Sequence, residues 1–241
     1  MTRYDRHRPL LSDHAWERLT STPVLIAGVG GLGANVAMHL ARLGPLRLEL
    51  WDPAEVDAPD LNRQILYGQG DLGSSKVAAA RARLEDTNPE LDLTAVAAAL
   101  DFERFFQASS LAETAPVIFD CLDSFAARGG LDRIRQSLSC PIFHAGVESW
   151  YGQVTTFLPG GGGYERAFGP DFASNPTPPK PILPHIVSIA AAYQVGEFLR
   201  WCETPERTPL SETLLLVDAR DMRTRRVALG GEAPTSKVAK A

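Results

Sequence analysis

Four glycines in six residues, Gly28, Gly30, Gly31 and Gly33 of GVGGLG, follow the apolar run Val24 to Ala27. A stretch with helical spacing through Val36, Leu40 and Leu43 comes directly after them. A turn of that composition lets backbone N–H groups approach a phosphate, and the following helix adds donors and a partial positive charge at its N-terminus. Asp52 stands 19 residues after Gly33 at the end of the next apolar run. That is where a carboxylate accepts hydrogen bonds from a ribose. These residues suit NAD as well as ATP. Three more separate the two. Arg63 in DLNRQ and Lys76 in GSSKV supply the guanidinium fork and the point charge that a triphosphate needs. Asp123 in DCLDSF falls just past the run Val117 to Asp120, where a carboxylate can hold Mg²⁺ or simply cap the next helix. An NAD-dependent oxidoreductase gives these three no joint purpose. Nor does any of the five tyrosines have a lysine four residues later, as one common proton relay requires.

The elements that must carry these residues alternate. Strands are expected at Val24 to Ala27, Leu46 to Trp51, within Leu91 to Leu100, at Pro116 to Asp120 and at Pro141 to Ala145. Helices are expected after Gly33 as far as Gly44-Pro45, from Lys76 towards Asn88-Pro89, and over about 126 to 139. The polar stretch from Asp60 to Gly73 reads as a loop. This alternation predicts an α/β fold of Rossmann type, a largely parallel twisted sheet with helices on both faces. The later part differs. Tyr151 to Leu158 is a strand with no helix before it, His185 to Trp201 regains helical spacing, and Leu214 to Asp218 with Arg223 to Ala228 forms a closing hairpin. An antiparallel C-terminal extension follows from that pattern. Pro159 to Pro184 holds seven prolines and five glycines in 26 residues, so an irregular crossover loop is expected there. Residues 1–229 read as one domain, and 230–241 as a flexible tail.

Composition narrows the classes further. A net charge of -5 argues against a general nucleic-acid binder, which needs a basic surface. No stretch approaches the roughly 18 apolar residues of a membrane span. The opening MTRYDRHRPLL is polar and basic, unlike a secretory signal. The three cysteines, Cys121, Cys140 and Cys202, have no CxxC spacing and suit a reduced, cytoplasmic protein.

RYDRH, VLIAGVGGLG, LELWDPAEVDAPDLNRQ, DLGSSK, NPEL, DCLDSFAAR, GQVTTF and YQVGE, in that order over residues 3 to 228, resemble the ThiF/MoeB/HesA adenylyltransferases, bacterial relatives of ubiquitin-activating enzymes. The resemblance implies Mg²⁺- and ATP-dependent adenylation of a small ubiquitin-like sulfur carrier protein that ends in Gly-Gly. It implies that Asp52 holds the ribose, that Arg63 and Lys76 hold phosphates, that Asp123 binds Mg²⁺ and that Gln64 lines the same pocket. It matches Arg6 to an arginine that reaches ATP from the other subunit, which implies a homodimer with shared sites. The departures carry their own expectations. Asp60 stands where the family usually has Asn, and an acid beside phosphates repels them unless Mg²⁺ or Arg63 offsets it. Gly163 and Arg166 stand where the first pair of zinc-binding cysteines falls in many members, so no zinc is expected. Thr177 stands where many members carry a further cysteine, and a threonine cannot replace a thiolate at neutral pH, so no thioester or persulfide stage is expected. A non-catalytic scaffold that binds nucleotide or carrier is the alternative. The carrier itself, or a peptide or modified tRNA base in its place, is not specified by these residues.

Overall fold

The computed structural model describes residues 1–172 and 181–230. The expected loop region around Thr177 and the tail beyond Gly230 fall largely outside them. In chain order the described elements are α1 (Asp13–Ser21), β1 (Val24–Ala27), α2 (Gly31–Leu43), β2 (Arg47–Trp51), α3 (Lys76–Thr87), β3 (Asp92–Val96), α4 (Phe102–Ala108), β4 (Val117–Asp120), α5 (Phe125–Leu138), β5 (Ile142–Glu148), β6 (Tyr151–Phe157), α6 (Tyr164–Phe168), α7 (Pro184–Glu203), β7 (Thr213–Asp218) and β8 (Arg223–Ala228).

The strands form one sheet in the order β3-β2-β1-β4-β5-β6-β7-β8. The first five are parallel, and β6, β7 and β8 add antiparallel. The parallel strands β1 and β4 are buried at every position, as a sheet covered on both faces requires. One apolar layer joins α1, α2, α3 and α7 to the sheet through residues such as Leu19, Val36, Leu84 and Val187. The other joins α4, α5 and α6 through Phe105, Leu131 and Tyr164. The expected α/β architecture with helices on both faces and an antiparallel extension is therefore present.

Three helices were not anticipated. In α1 only Ala15 and Leu19 are fully buried, and in α4 only Phe105, so each is a short helix with few core residues. Each starts instead at a capping side chain: Ser12 accepts from the Ala15 N–H, and Asp101 from the Arg104 N–H at 2.7 Å. The third correction concerns 159–184, expected to be irregular throughout. It contains α6, a single turn between Gly163 and Gly169. Aromatic packing holds it: Tyr164 lies 4.7 Å from Phe157 and 5.6 Å from Phe172, centroid to centroid.

A polar cluster sits inside the sheet's helix-covered interior. Asp120, the last residue of β4, is fully buried together with His144 of β5 and Tyr164 of α6. Its Oδ2 accepts hydrogen bonds from Arg128 Nε at 2.8 Å, His144 Nδ1 at 2.6 Å and the Tyr164 hydroxyl at 2.6 Å. Its Oδ1 accepts from the Leu122 N–H at 3.0 Å. Burial alone raises a carboxyl pKa, but the Arg128 guanidinium and the His144 and Tyr164 hydrogen bonds bring that of Asp120 below its ordinary value. An ionised carboxylate only accepts, so Nδ1 of His144 carries the proton. Burial holds His144 below its usual 6.5, against the opposing pull of Asp120.

In the unfolded chain His144 takes up a proton near pH 6.5, whereas in the fold it stays neutral to lower pH. Its contribution to stability is thus complete above that value and lost as pH falls through the folded value. Thermal unfolding of the wild type between pH 7 and pH 5 should show a falling melting temperature, and the fall should be shallower in His144→Gln. Equal falls in the two proteins would refute a buried neutral imidazole.

Candidate active site

The chain leaves β1 towards β2 on one side and the sheet continues to β4 on the other, so β1 and β4 flank the point where strand order reverses. Ligands of such sheets bind in the crevice at the carboxyl ends of those strands. The two turns that line it are pressed together. Gly28 has φ +88°, and a Cβ there would come within 2.8 Å of the Cys121 carbonyl oxygen. A Cβ on Gly33 would lie 1.9 Å from the Gly28 oxygen. Only glycine allows either contact.

Side chains then hold the turn. Asp52 Oδ2 accepts from the Val29 N–H at 2.8 Å, and its Oδ1 from the Ala54 N–H at 2.9 Å. The Tyr67 hydroxyl donates to the Val29 carbonyl at 2.8 Å. Asp52 therefore braces the glycine turn as well as standing at the end of β2, a role its spacing alone did not reveal. Gly30 caps α2 without a side chain, which leaves the first-turn N–H groups with no side-chain acceptor.

Arg63 and Gln64 arrive beside this turn from the segment after β2. The Arg63 stem passes within 3.3 Å of a Cβ built on Gly31, and Gln64 Nε2 within 3.8 Å of one on Gly30. Lys76 is the first residue of α3 and nearly buried. Asp60 joins all three. Its carboxylate meets Lys76 Nζ at 2.9 Å and Arg63 Nη2 at 3.6 Å, and accepts from Gln64 Nε2 and, at 3.2 Å, from the Asp57 N–H. The repulsion expected of an acid here is thus met by two cations rather than by Arg63 alone. One carboxylate against two cations leaves the group with a single positive charge. The Lys76 ammonium has three donors and this ion pair occupies one of them. Two buried side-chain atoms at this site have no hydrogen-bond partner: Gln64 Oε1 and Ser75 Oγ, the latter directly before Lys76. A buried polar atom left unpaired is costly, and a polar ligand at this position would give these two a partner.

Asp123 closes the other wall. The turn that carries it starts at Cys121, whose carbonyl touches Gly28. Asp123 is exposed and makes no hydrogen bond or ion pair among the described residues. It does not cap α5, because Ser124 does, accepting from the Ala127 N–H. A hard cation takes oxygen ligands, and Mg²⁺ commonly uses one or two carboxylates with substrate phosphates completing its shell. The free carboxylate of Asp123 fits that need.

Arg6 is not brought to this crevice. Its neighbours anchor the N-terminal segment at the far end of α2. His7 Nε2 lies 2.8 Å from the Leu43 oxygen, and the Tyr4 hydroxyl joins Asn88 at 3.0 Å and Glu90 at 3.1 Å. The 13 residues of α2 separate the two ends, a distance of roughly 20 Å at ~1.5 Å per residue. Arg6 itself is exposed.

Burial is common to all three cysteines. It pushes the thiols of Cys140 and Cys202 up to about 12, and raises that of Cys121 well above its ordinary value. A cavity of about 780 Å³ between the second half of α5 and Pro159–Gly163 contains none of the residues named above. It is not the site the sequence points to. The residue the sequence reading passed over is Asp120. In DCLDSF it looked like the end of a buried strand, and only its three long-range donors reveal what it holds.

Known proteins resemble this chain in sequence and in fold. The chain is 34% identical over 164 residues to the vegetative HesA protein of Trichormus variabilis, covering 66% of this chain and 61% of that one. It is 34% identical over 160 residues to the sulfur carrier protein ThiS adenylyltransferase of Escherichia coli K12, covering 65% and 62%. The chain thus spans about six tenths of these relatives. The solved structure of E. coli MccB with ATP shares the fold, with a TM-score of 0.78 at 19% identity, over 98% of this chain and 73% of that one. The ThiF family model matches residues 4–238, and the chain belongs to the ThiF family.

Proposed function

We propose that this chain adenylates the C-terminal carboxylate of a small ubiquitin-like carrier protein ending in Gly-Gly, using ATP and Mg²⁺. The observation that carries the reading is the group around the glycine turn: Arg63, Lys76 and Gln64 gathered by Asp60, two buried unpartnered oxygens, and a free carboxylate at Asp123 across the crevice. The similarity to an adenylyltransferase acting on a sulfur carrier supports the acceptor.

In the proposed reaction a carboxylate oxygen of the carrier attacks the α-phosphorus of ATP. The bond from that phosphorus to the bridging oxygen of the β-phosphate breaks, pyrophosphate leaves, and the acyl adenylate remains. The acceptor is already ionised at neutral pH, so no proton has to move and no base is needed. The site matches that demand. The one buried histidine near the crevice is committed to Asp120, and the thiols are buried. What the residues supply is alignment and charge. The glycine turn and the α2 N-terminus receive phosphate oxygens, Arg63 and Lys76 offset the charge that builds on the leaving pyrophosphate, and Asp52 holds the ribose. Asp123 would hold Mg²⁺, which would supply positive charge against the phosphates. Arg6, roughly 20 Å from its own crevice at ~1.5 Å per helical residue, serves the site of a second subunit, so the working unit is a homodimer.

Thermal unfolding with Mg²⁺-ATP and with NAD is the first test. A ligand at 100 times its Kd adds about 2.7 kcal/mol, a shift of roughly 5–10 °C for a chain of this size. Stabilisation by Mg²⁺-ATP alone supports the reading, and stabilisation by NAD alone overturns it. Asp123→Ala should lose at least about 100-fold in carrier-dependent pyrophosphate exchange while keeping the wild-type melting temperature. Wild-type exchange in that variant would remove Asp123 from the site. Arg6→Ala should be similarly impaired alone, and mixing it with Asp123→Ala should restore part of the activity, because a mixed dimer has one intact site. No recovery in mixtures shown to exchange subunits would count against the shared site.

A further inference from the structure

The segment Tyr164–Phe172 lies outside the crevice, yet it is tied by two independent sets of contacts to the turn that carries Asp123. The first is polar. The Tyr164 hydroxyl and His144 Nδ1 share Asp120 Oδ2, while Asp120 Oδ1 holds the Leu122 N–H. Arg128 closes the loop: its Nε bonds Asp120 at 2.8 Å, and its Nη2 donates to the Leu122 carbonyl at 2.6 Å. Gln194 of α7 fixes the same strand end, donating to the Asp120 carbonyl at 3.0 Å and the Phe143 carbonyl at 2.9 Å. Leu122 is thus gripped through both its N–H and its carbonyl by groups that Tyr164 completes. The second set is aromatic. Phe125, two residues after Asp123, meets Phe168 at 5.5 Å and Phe172 at 6.4 Å between centroids, and Arg128 lies over the Phe125 ring at 5.0 Å.

We infer that Tyr164 is a positioning residue, whose hydroxyl on Asp120 sets the Cys121–Ser124 turn so that Asp123 is presented to the metal that accompanies the nucleotide. The inference rests on the adenylation reading and extends it to a residue outside the crevice. Its physical basis is the buried carboxylate. With all three Oδ2 donors in place Asp120 has one orientation, and through Oδ1 so does the Leu122 amide. Removing the Tyr164 donor leaves a buried charge underpartnered, and the nearest adjustment is rotation of Asp120 and relaxation of the turn. Nothing in this argument touches Arg63, Lys76 or Asp52, so nucleotide binding without metal should be unaffected.

Tyr164→Phe keeps the ring contacts and removes only the hydroxyl. The measurement is the thermal shift produced by ATP, first in EDTA and then as Mg²⁺ is added. The shift in EDTA should equal that of the wild type. The Mg²⁺ concentration for the half-maximal further shift should rise about tenfold, as expected for loss of one charge-assisted hydrogen bond, and carrier-dependent exchange should show the same displacement in its Mg²⁺ dependence. In an Asp123→Ala background the same substitution should displace neither. An unchanged Mg²⁺ midpoint, with or without a lower melting temperature, overturns the inference. So does a loss of ATP binding that is equal with and without Mg²⁺, which would mark Tyr164 as merely structural. Should Tyr164→Phe fail to fold, Phe168→Leu, which removes the ring contact to Phe125, is judged by the same criteria. A wild type that ignores Mg²⁺-ATP altogether defeats the adenylation reading, an outcome distinct from a responsive wild type that Tyr164→Phe does not alter.

Discussion

The rest of the structure hangs on one contact made without side chains. The first turn of α2 lies so close to the end of β1 that a single carbon on Gly33 would sit 1.9 Å from the Gly28 oxygen. Gly28 in turn presses on the Cys121 carbonyl. Helix, first turn and second turn are thereby locked at the reversal of strand order. With them is locked the direction in which α2 points its uncapped N–H groups. The Asp52 carboxylate on Val29 N–H and the Tyr67 hydroxyl on Val29 C=O hold the peptide in place from both sides. The direction of that helix end is therefore a consequence of packing distance, and the glycines are what make that distance attainable.

Given that geometry, electrostatics decides how the mouth is furnished. Arg63 and Lys76 left alone in a half-buried crevice would repel each other. Asp60 offsets that repulsion by pairing with both, Lys76 at 2.9 Å and Arg63 at 3.6 Å, while Gln64 and the Asp57 N–H donate to it. An asparagine, usual here in similar proteins, has one acceptor oxygen and turns a donor NH2 to the other side, so it could meet only part of these donors and would carry no charge. The acid therefore trades part of the attraction for phosphate against a more rigid arrangement of its two cations. The balance remains positive, because one anion faces two cations, and Lys76 keeps donors to spare. On those terms an acid is compatible with the phosphate-binding role proposed for these residues.

The architecture was legible in sequence because its signals are local. Glycines between an apolar run and helical spacing, and apolar strands ended by Asp52 and Asp120, need only neighbours to be read. The three missed helices, α1, α4 and α6, are short and bury at most two residues each. The site was legible in part. Arg63, Lys76, Gln64, Asp52 and Asp60 converge on the glycine turn as their motifs suggested. Asp120 was not recognisable, because its partners Arg128, His144 and Tyr164 stand 8, 24 and 44 residues away and meet only through the sheet and α6. A buried ion is invisible in sequence when its counter-charge arrives through tertiary structure. The Asp60 network is half visible: i to i+3 and i to i+4 pairs with Arg63 and Gln64 can be read, whereas the reach to Lys76 cannot.

The segment after Pro159 is anchored from beneath by a buried side chain. In many proteins that this chain resembles, cysteine pairs clamp this stretch with a metal. Here Gly163 and Arg166 occupy the first pair of positions and have no thiolate to offer. The space beside Gly163 is filled by the Asp132–Arg135 ion pair, whose carboxylate would lie 2.5 Å from a Cβ at that position. A side chain there would require that pair to shift. Next along the chain, Tyr164 enters the core completely, ringed by Phe157, Phe168 and Phe172 and bonded to Asp120. A metal clip fixes a loop from its own ligands and is indifferent to what lies beneath. A buried tyrosine fixes it from below, by spending its one hydroxyl on a group of the sheet. The exchange thus ties α6 to the strand end beside the crevice, which a self-contained clip does not require.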